Sequence, residues 1–262
     1  MKFDYKTTLK LIVSAVVLIL TACLVSAVIL IINGARSDIF SQEKAAEAST
    51  DTSTTLAKTP DYGQNYINNI IFVGDTTISR LVEAEALVYG SETKQIWTGE
   101  DGDLPLDFSI DKTSIVFPET GKTMTIPDAA REKKPDYLVI TLGISNGVGY
   151  CTEENFKSYY GKLISAIKEA SPDTKIMLQS VLPVSRKFEK DASGITAKKI
   201  DQANLWISQI AEQNGVRYLD TSSILKDSDG YLLHQYDSGD GLHLNADGYH
   251  AMLTYIRTHG YK

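Results

Sequence analysis

The stretch Ile70-Ile71-Phe72-Val73-Gly74-Asp75-Thr76-Thr77 decides the fold that this sequence predicts. Its first four residues are apolar and are β-branched or aromatic, which is typical of a strand buried on both faces. Gly74 ends the strand, and the apolar spacing that follows predicts a helix over residues 78–87. A buried strand that passes directly into a helix indicates an α/β fold with a parallel sheet.

The same alternation continues along the rest of the chain. Apolar stripes with helical spacing predict three long helices, marked by Phe156 to Ile167, Ile200 to Ile210 and Tyr249 to Ile256. Further strands are predicted at residues 94–97, 137–142, 175–179 and 216–219, with a hairpin at 113–126. We therefore expect a three-layer α/β/α sandwich with a central parallel sheet of about five strands. Ligands of such sheets bind beyond the carboxyl ends of the strands, and the loops expected there are residues 74–77, 98–102, 143–147 and 237–245.

The N-terminal segment predicts a membrane anchor. Residues 11–32 are uncharged and mostly apolar, and at about 1.5 Å per residue they span roughly 33 Å, enough to cross the hydrocarbon core. Lys2, Lys6 and Lys10 precede this run, opposed by Asp4, so the positive-inside rule places the N-terminus in the cytoplasm. We expect cytoplasmic residues 1–10, a transmembrane helix at 11–33, a flexible stalk at 34–61, and a domain at 62–262 outside the cell.

Two other interpretations of this segment remain open. A cleaved signal peptide has a shorter apolar core and a small-residue cleavage site. Leu20-Thr21-Ala22-Cys23 also resembles a bacterial lipoprotein cleavage box, which would place a lipid on Cys23. The anchor is favoured because the apolar run continues well past Cys23.

Composition excludes several classes of function. The chain has 26 basic and 33 acidic residues and a net charge of −7, which argues against nucleic acid or anionic lipid as the main partner. Of the two cysteines, Cys23 lies in the apolar run, so a structural disulfide is not expected. The sequence has no Cys/His cluster at metal-ligand spacing, so neither a metal nor another cofactor is predicted.

Three short blocks carry residues capable of chemistry. In Asp240-Gly241-Leu242-His243 a carboxylate can orient an imidazole and leave its second nitrogen as a base, although the same spacing is common in solvated loops. Gly74-Asp75-Thr76 places a hydroxyl where helix N–H groups can stabilise an oxyanion, or it merely caps the helix. In Gly143-Ile144-Ser145-Asn146-Gly147, Asn146 can donate to an oxyanion, or the block is an ordinary turn.

Together these blocks resemble the SGNH/GDSL hydrolase family, in particular its extracytoplasmic Gram-positive members, over about residues 66–261. The resemblance implies that Thr76 is the nucleophile, His243 the base and Asp240 the group that orients His243. It also implies an oxyanion hole formed by the Thr76 amide, Gly99 and Asn146.

The blocks depart from the family pattern in two places. Thr76 stands where the family has serine, and its extra methyl group stiffens χ1 and crowds the path of attack. Read strictly, the third block puts Ser145 where the family has asparagine, with Asn146 one residue later. Gly102 lies in the same loop as Gly99 and is an alternative candidate for the glycine of the oxyanion hole.

A different serine also fits a known pattern. Residues 143–147 satisfy G-x-S-x-G, the nucleophile elbow of another hydrolase class, which would make Ser145 the nucleophile. An elbow requires a helix to start at the nucleophile, and here the next helix is predicted to begin near Thr152.

The function that follows is hydrolysis of O-acyl esters, with O-acetyl groups of cell-envelope or extracellular carbohydrate as the expected substrate. The alternatives are a catalytically impaired envelope module that binds glycan or a protein partner, and an O-acyltransferase.

The orientation across the membrane can be tested with protease added to intact cells. We expect the protease to remove the domain, and we expect the mature protein to retain residues 11–32 by mass spectrometry. A cytoplasmic marker protein should stay intact in the same sample. Protection of the domain until the cells are lysed would contradict the predicted orientation.

Overall fold

The structure is a computed structural model that describes residues 53–191 and 194–261. The predicted cytoplasmic residues 1–10, the predicted anchor at 11–33 and stalk residues 34–52 lie outside the described residues. Within the described ranges, no helix has the length and apolar character needed to cross a bilayer.

The centre of the fold is a sheet of five parallel strands. They are β1 (Ile70–Gly74), β2 (Ile96–Trp97), β5 (Tyr137–Thr141), β6 (Lys175–Gln179) and β7 (Arg217–Leu219), in the order β2-β1-β5-β6-β7. Strands β3 (Ser114–Phe117) and β4 (Lys122–Thr125) form a separate antiparallel hairpin. The predicted five-stranded parallel sheet and the predicted hairpin are both confirmed.

Helices connect and cover the strands. They are α1 (Gly63–Asn68), α2 (Thr76–Ser79), α3 (Ile126–Lys133), α4 (Glu153–Ala170), α5 (Arg186–Asp191), α6 (Ala197–Asn214), α7 (Ser222–Leu225) and α8 (Ala246–Arg257), with 3₁₀ turns at Arg80–Ala84, Gly90–Glu92 and His234–Tyr236. The three long helices predicted from apolar stripes are α4, α6 and α8. Each begins at a residue whose side chain accepts a backbone N–H of the first turn, namely Thr152, Thr196 and Asn245, a standard N-cap.

Alternate strand residues face two separate cores, which makes the fold a three-layer sandwich. Val73 and Ile140 pack with residues of α3, α4 and α6 on one face of the sheet. Phe72 and Val139 pack with residues of α1 and α8 on the other face. The sheet is therefore buried on both sides, as its continuous apolar strands predicted.

The prediction of a single helix over residues 78–87 was wrong. The structure has the four-residue α2, then the 3₁₀ turn Arg80–Ala84, which ends at Glu85 with φ of 50°. The apolar residues of this segment recur every three positions, at Ile78, Leu81, Ala84 and Leu87, and all four are buried. A spacing of three suits the 3₁₀ helix, which has three residues per turn, as well as it suits an α-helix.

The compact unit begins earlier than the predicted boundary at residue 62. The Leu56 amide donates to Tyr218 O at 2.9 Å, and the Tyr218 amide donates to Thr54 O at 2.9 Å. Leu56 also packs against the core on the α8 side of the sheet. Residues 53–61, expected as the end of a flexible stalk, therefore lie in the unit Ser53–Lys262.

One buried tyrosine holds the end of β5. The Tyr160 hydroxyl accepts from the Leu142 amide at 3.0 Å and donates to Leu142 O at 2.8 Å. Burial raises the pKa of this phenol, with the hydrogen bond to Leu142 acting in the opposite direction. Leu142 directly precedes the block that starts at Gly143, so this contact fixes where the chain leaves the sheet.

We expect Tyr160→Phe to lower the free energy of unfolding by about 1–3 kcal/mol, because both polar groups of Leu142 lose a buried partner. Denaturant unfolding measures the change. The control is Tyr159→Phe, since Tyr159 is its half-buried neighbour on α4. An equal loss in the two variants would contradict the role assigned to the Tyr160 hydroxyl.

Candidate active site

The structure brings Asp240 and His243 together as predicted. His243 Nδ1 lies 2.7 Å from Asp240 Oδ2, and the His243 and Leu242 amides each donate to Asp240 Oδ1 at 2.9 Å. Ser238 Oγ adds a hydrogen bond to the same oxygen at 3.1 Å. The predicted hydrogen bond between the imidazole and the carboxylate is therefore confirmed.

These contacts keep the Asp240 carboxyl ionised. Partial burial alone would raise its pKa, but the hydrogen bonds from His243 and the Leu242 amide outweigh burial and hold the pKa well below the usual range. An ionised carboxylate accepts hydrogen bonds and does not donate them. The proton of this contact therefore belongs to His243 Nδ1, and in the neutral ring the lone pair is then on Nε2.

The second ring nitrogen of His243, Nε2, is buried and forms no hydrogen bond with the described residues. The residue is 8% exposed, and Nε2 has no hydrogen-bond partner among residues 53–191 and 194–261. A buried polar atom without a partner is uncommon in folded proteins and calls for an explanation. An imidazole oriented at Nδ1 and free at Nε2 is the arrangement of a general base.

Several contacts determine the conformation of the loop around His243. The Asp237 carboxylate accepts from the Gly239 and Gly241 amides at 2.7 and 2.9 Å, so it does not compete with Asp240 for the imidazole. Gly241 has φ of 79°, and a Cβ there would lie 2.2 Å from Ser185 Oγ. The Ser185 amide donates to Gly241 O at 2.8 Å, which ties the loop to the segment after β6.

Thr76 lies at the first position of α2, directly beyond the carboxyl end of β1. The preceding residue, Asp75, is 1% exposed, and its carboxylate accepts from the Thr77 amide at 3.1 Å and the Thr77 hydroxyl at 2.7 Å. Its other oxygen accepts from the Ile144 amide at 3.0 Å. Burial raises the pKa of Asp75, and these three hydrogen bonds oppose the rise.

Two contacts join the segment of residues 76–80 to the region of His243. Arg80 Nη1 lies 3.3 Å from Asp240 Oδ2, and the Tyr249 hydroxyl donates to Thr77 O at 2.7 Å. Sequence reasoning missed both residues. The position of Arg80, four residues after Thr76, was an available signal, whereas Tyr249 looked like an ordinary core residue of α8.

The Thr76 hydroxyl forms no hydrogen bond with His243 Nε2 in this conformation, since Nε2 has no partner among the described residues. Catalytic hydrogen bonds are often long before substrate binds. The nucleophilic role of Thr76 therefore stays a prediction.

The two predicted oxyanion residues occupy different environments. Asn146 is exposed, with φ of 58°. Gly99 is half-buried, its amide donates to Asp103 O at 2.9 Å, and a Cβ there would lie 2.2 Å from the same oxygen. Use of the Gly99 amide by an oxyanion would require that hydrogen bond to open, so both oxyanion roles stay predictions.

The alternative nucleophile Ser145 is engaged elsewhere. Its hydroxyl donates to Asp103 Oδ2 at 2.7 Å. The next helix, α4, begins at Glu153 after its cap Thr152, as predicted, so no helix starts at Ser145. The nucleophile-elbow geometry is therefore absent at this position.

Thr76 thus lies beyond the carboxyl end of β1, and the His243–Asp240 pair lies on a loop that Arg80 joins to the same region. A hydroxyl, an imidazole and a carboxylate are the groups of a nucleophilic hydrolase. Residues 113–251, more than half of the chain, match the model of the GDSL-like lipase/acylhydrolase family. The chain belongs to this family of hydrolases, so the resemblance to the family is confirmed. The particular resemblance to its extracytoplasmic Gram-positive members stays a prediction. The matched range includes Asn146, Asp240 and His243 and begins after Thr76 and Gly99.

The chain is also similar to several solved structures, the first of which shows the same fold. It is a protein from Streptococcus pneumonia described as a platelet activating factor, which is 18% identical in sequence. The alignment covers 85% of this chain and 97% of that protein, with a TM-score of 0.51. The periplasmic domain of a lipopolysaccharide acetyltransferase from Salmonella ser. Paratyphi A is 14% identical, with coverages of 79% and 85% and a TM-score of 0.48. An acetyl-xylooligosaccharide esterase from Geobacillus is 16% identical, with coverages of 80% and 97% and a TM-score of 0.43. No curated protein matches the sequence.

The lowered pKa of Asp240 has a consequence for stability. Its folded-state value lies below the unfolded value of about 4, so the ionised group stabilises the fold above about pH 4. That contribution is lost as the pH falls further, towards the folded-state pKa.

We therefore expect Asp240→Asn to lower the free energy of unfolding at pH 7 by less than about 1 kcal/mol, because the side chain is partly exposed to screening solvent. The difference from wild type should narrow as the pH is lowered through 4. Denaturant unfolding over this range measures it, with the exposed Asp173→Asn as control. A difference that stays constant or grows at low pH would contradict this assignment.

Proposed function

We propose that the protein is an esterase that removes O-acyl groups, in particular O-acetyl groups, from carbohydrate of the cell envelope or its surroundings. The observation that carries the proposal is the His243 ring, held by Asp240 at Nδ1 and buried without a partner at Nε2. Membership of an acylhydrolase family gives the reaction class. The predicted anchor and outward orientation supply the carbohydrate part, because an esterase at that location meets envelope glycans first.

In the proposed reaction, the Thr76 oxygen attacks the acyl carbon while its proton moves to His243 Nε2. Asp240 stabilises the resulting imidazolium through Nδ1. Collapse of the tetrahedral intermediate breaks the ester bond, and the sugar oxygen leaves with the proton from Nε2. A water molecule then gives a proton to Nε2 and attacks the acyl-threonine, which releases the acid and restores Thr76.

The Thr76 amide supports the electrostatic part of this scheme. Thr76 is the first residue of α2, so its backbone N–H belongs to the unpaired donors of a helix N-terminus. The tetrahedral oxyanion would receive that N–H and the side chain of Asn146, which is exposed at the same edge of the sheet. Arg80 supports the opposite side of the site by contacting the Asp240 carboxylate.

The methyl group of Thr76 leads to a direct test. Thr76→Ser keeps the hydroxyl and removes the methyl group, so we expect kcat/KM on p-nitrophenyl acetate to rise. Thr76→Ala removes the hydroxyl as well and should abolish activity, and His243→Ala should lower kcat on the order of 10³-fold or more. The full-length protein in detergent is used throughout, and acetate release from acetylated xylo-oligosaccharide is measured in parallel.

Ser145→Ala is the matched control, because it removes the hydroxyl of the alternative nucleophile. It should leave most of the activity in place. Activity that survives Thr76→Ala and disappears in Ser145→Ala would move the nucleophile to Ser145.

One observation favours a second candidate, a module that binds glycan or a protein partner without catalysis. The family serine is replaced by Thr76, and the Thr76 hydroxyl does not contact His243 Nε2. Inactivity of both wild type and Thr76→Ser on several acyl esters would support that candidate. Transfer of acetyl to a sugar hydroxyl, detected by mass spectrometry, would instead identify an O-acyltransferase.

A further inference from the structure

A second concave site lies at the opposite edge of the sheet from Thr76 and His243. Its volume is about 840 Å³, within the range of roughly 300–1,000 Å³ found for ligand sites. Its lining includes the residues just before β1, β2 and β5, namely Asn69, Gln95 and Asp136. Because the amino ends of parallel strands share one edge, this cavity is separate from the candidate active site.

An exposed aromatic side chain stands at this cavity. Tyr89 lines it while remaining 77% exposed. Its backbone has φ of 66°, a left-handed conformation that costs a non-glycine residue on the order of 1 kcal/mol. A large exposed aromatic residue held in an unfavourable backbone conformation is a candidate for a binding role.

The side chain of Gln95 holds the loop that carries Tyr89 through hydrogen bonds to the backbone. The Gln95 side chain accepts from the Val88 amide at 2.9 Å, and its Nε2 donates to Ile67 O and Ile70 O, each at 2.7 Å. Gln95 is 5% exposed, so these hydrogen bonds are shielded from water. They join Val88, the residue before Tyr89, to Ile67 and to Ile70, the first residue of β1. The backbone that carries the Tyr89 ring is therefore held in place by buried hydrogen bonds.

The charges around the cavity balance. Lys133 Nζ pairs with a Glu119 carboxylate oxygen at 2.7 Å across the lining. Four further charged residues line the cavity and form no ion pair among the described residues: Glu92, Lys94, Lys134 and Asp136. Two are acidic and two are basic, so the site has no net charge to recognise an anion or a cation.

The amide groups complete the polar lining. The exposed Asn68 accepts at Oδ1 from Gln64 Nε2 at 3.1 Å, which leaves its two Nδ2 donors. Asn69 Nδ2 donates to Asn65 O at 2.9 Å, which leaves the Asn69 Oδ1 acceptor. Neutral donors and acceptors therefore line the same cavity as Tyr89.

We propose that this cavity binds a neutral pyranose unit of an oligosaccharide, with a C–H face of the sugar on Tyr89. The sugar hydroxyls both donate and accept, so they fit the mixed lining of Asn68, Asn69 and Asp136. A phosphate or another anion would meet as many carboxylates as ammonium groups. The site lacks Thr76 and His243, so this inference does not rest on the esterase function.

A glycan polymer that also occupies the cleft at Thr76 would be held at two places on one domain. The second contact is intramolecular, so it raises the effective concentration of the polymer at the cleft. A short soluble ester cannot reach both places at once, so its concentration at the cleft would not be raised by the second contact.

The test measures binding of β-1,4-linked hexasaccharides of glucose, xylose and N-acetylglucosamine to the full-length protein by calorimetry. None of the three carries an O-acyl ester, so hydrolysis does not complicate the measurement. We expect at least one to bind, and Tyr89→Ala to weaken its binding about tenfold or more, as truncation of a central aromatic contact commonly does. Tyr89→Trp should restore binding, and neither variant should change turnover of p-nitrophenyl acetate.

Phe108→Ala and Tyr150→Ala are the matched controls, because these residues are 71% and 64% exposed and do not line the cavity. Both should bind as wild type does. Unchanged binding in Tyr89→Ala, loss of binding in either control, or no binding of any hexasaccharide at 10 mM would overturn the inference. So would binding of polyphosphate in preference to the sugars.

Discussion

The buried carboxylate of Asp75 joins the ends of two adjacent strands, and the geometry of the site depends on it. One oxygen receives the Thr77 amide and hydroxyl, and the other receives the Ile144 amide, so the starts of two loops are held to one side chain. Burying a carboxylate is costly unless it is hydrogen-bonded. Three donors meet that requirement here and fix Thr76 relative to the loop that carries Asn146. From β1 the chain adds β2 on one side, and it then adds β5, β6 and β7 on the other side. The point between β1 and β5 is therefore the topological switch point, where ligands of such folds bind.

Much of the fold follows from local pattern. Apolar strands at regular intervals predicted the parallel sheet, and the stripes of α4, α6 and α8 predicted the helices that cover it, because burial on both faces leaves a strong signal. The pairing of Asp240 with His243 was also predicted, because the block Asp240-Gly241-Leu242-His243 resembles the family pattern; the spacing alone is common in solvated loops. Local pattern misled at residues 78–87, where a spacing of three fits both kinds of helix.

The contacts that bring the parts of the site together lie beyond the reach of local pattern. Arg80 and Asp240 are 160 positions apart, and Thr77 and Tyr249 are 172 positions apart. Nothing near Tyr249 distinguishes its hydroxyl from that of any buried tyrosine. The commitment of the Gly99 amide to Asp103 is likewise a property of how one loop folds on itself, and glycine composition alone does not reveal it.

The hydroxyl of Tyr249 has a further consequence for how the protein loses function. Folded proteins open in parts, and the free energy of each opening depends on the apolar surface it exposes. Helix α8 docks through Tyr249, Met252, Leu253 and Ile256 on one face of the sheet. An opening that releases α8 would break the Tyr249 contact with Thr77 and loosen the adjoining His243 loop, while the ladder between β1, β5 and β6 persists. The assembled site can therefore be no more stable than the docking of α8.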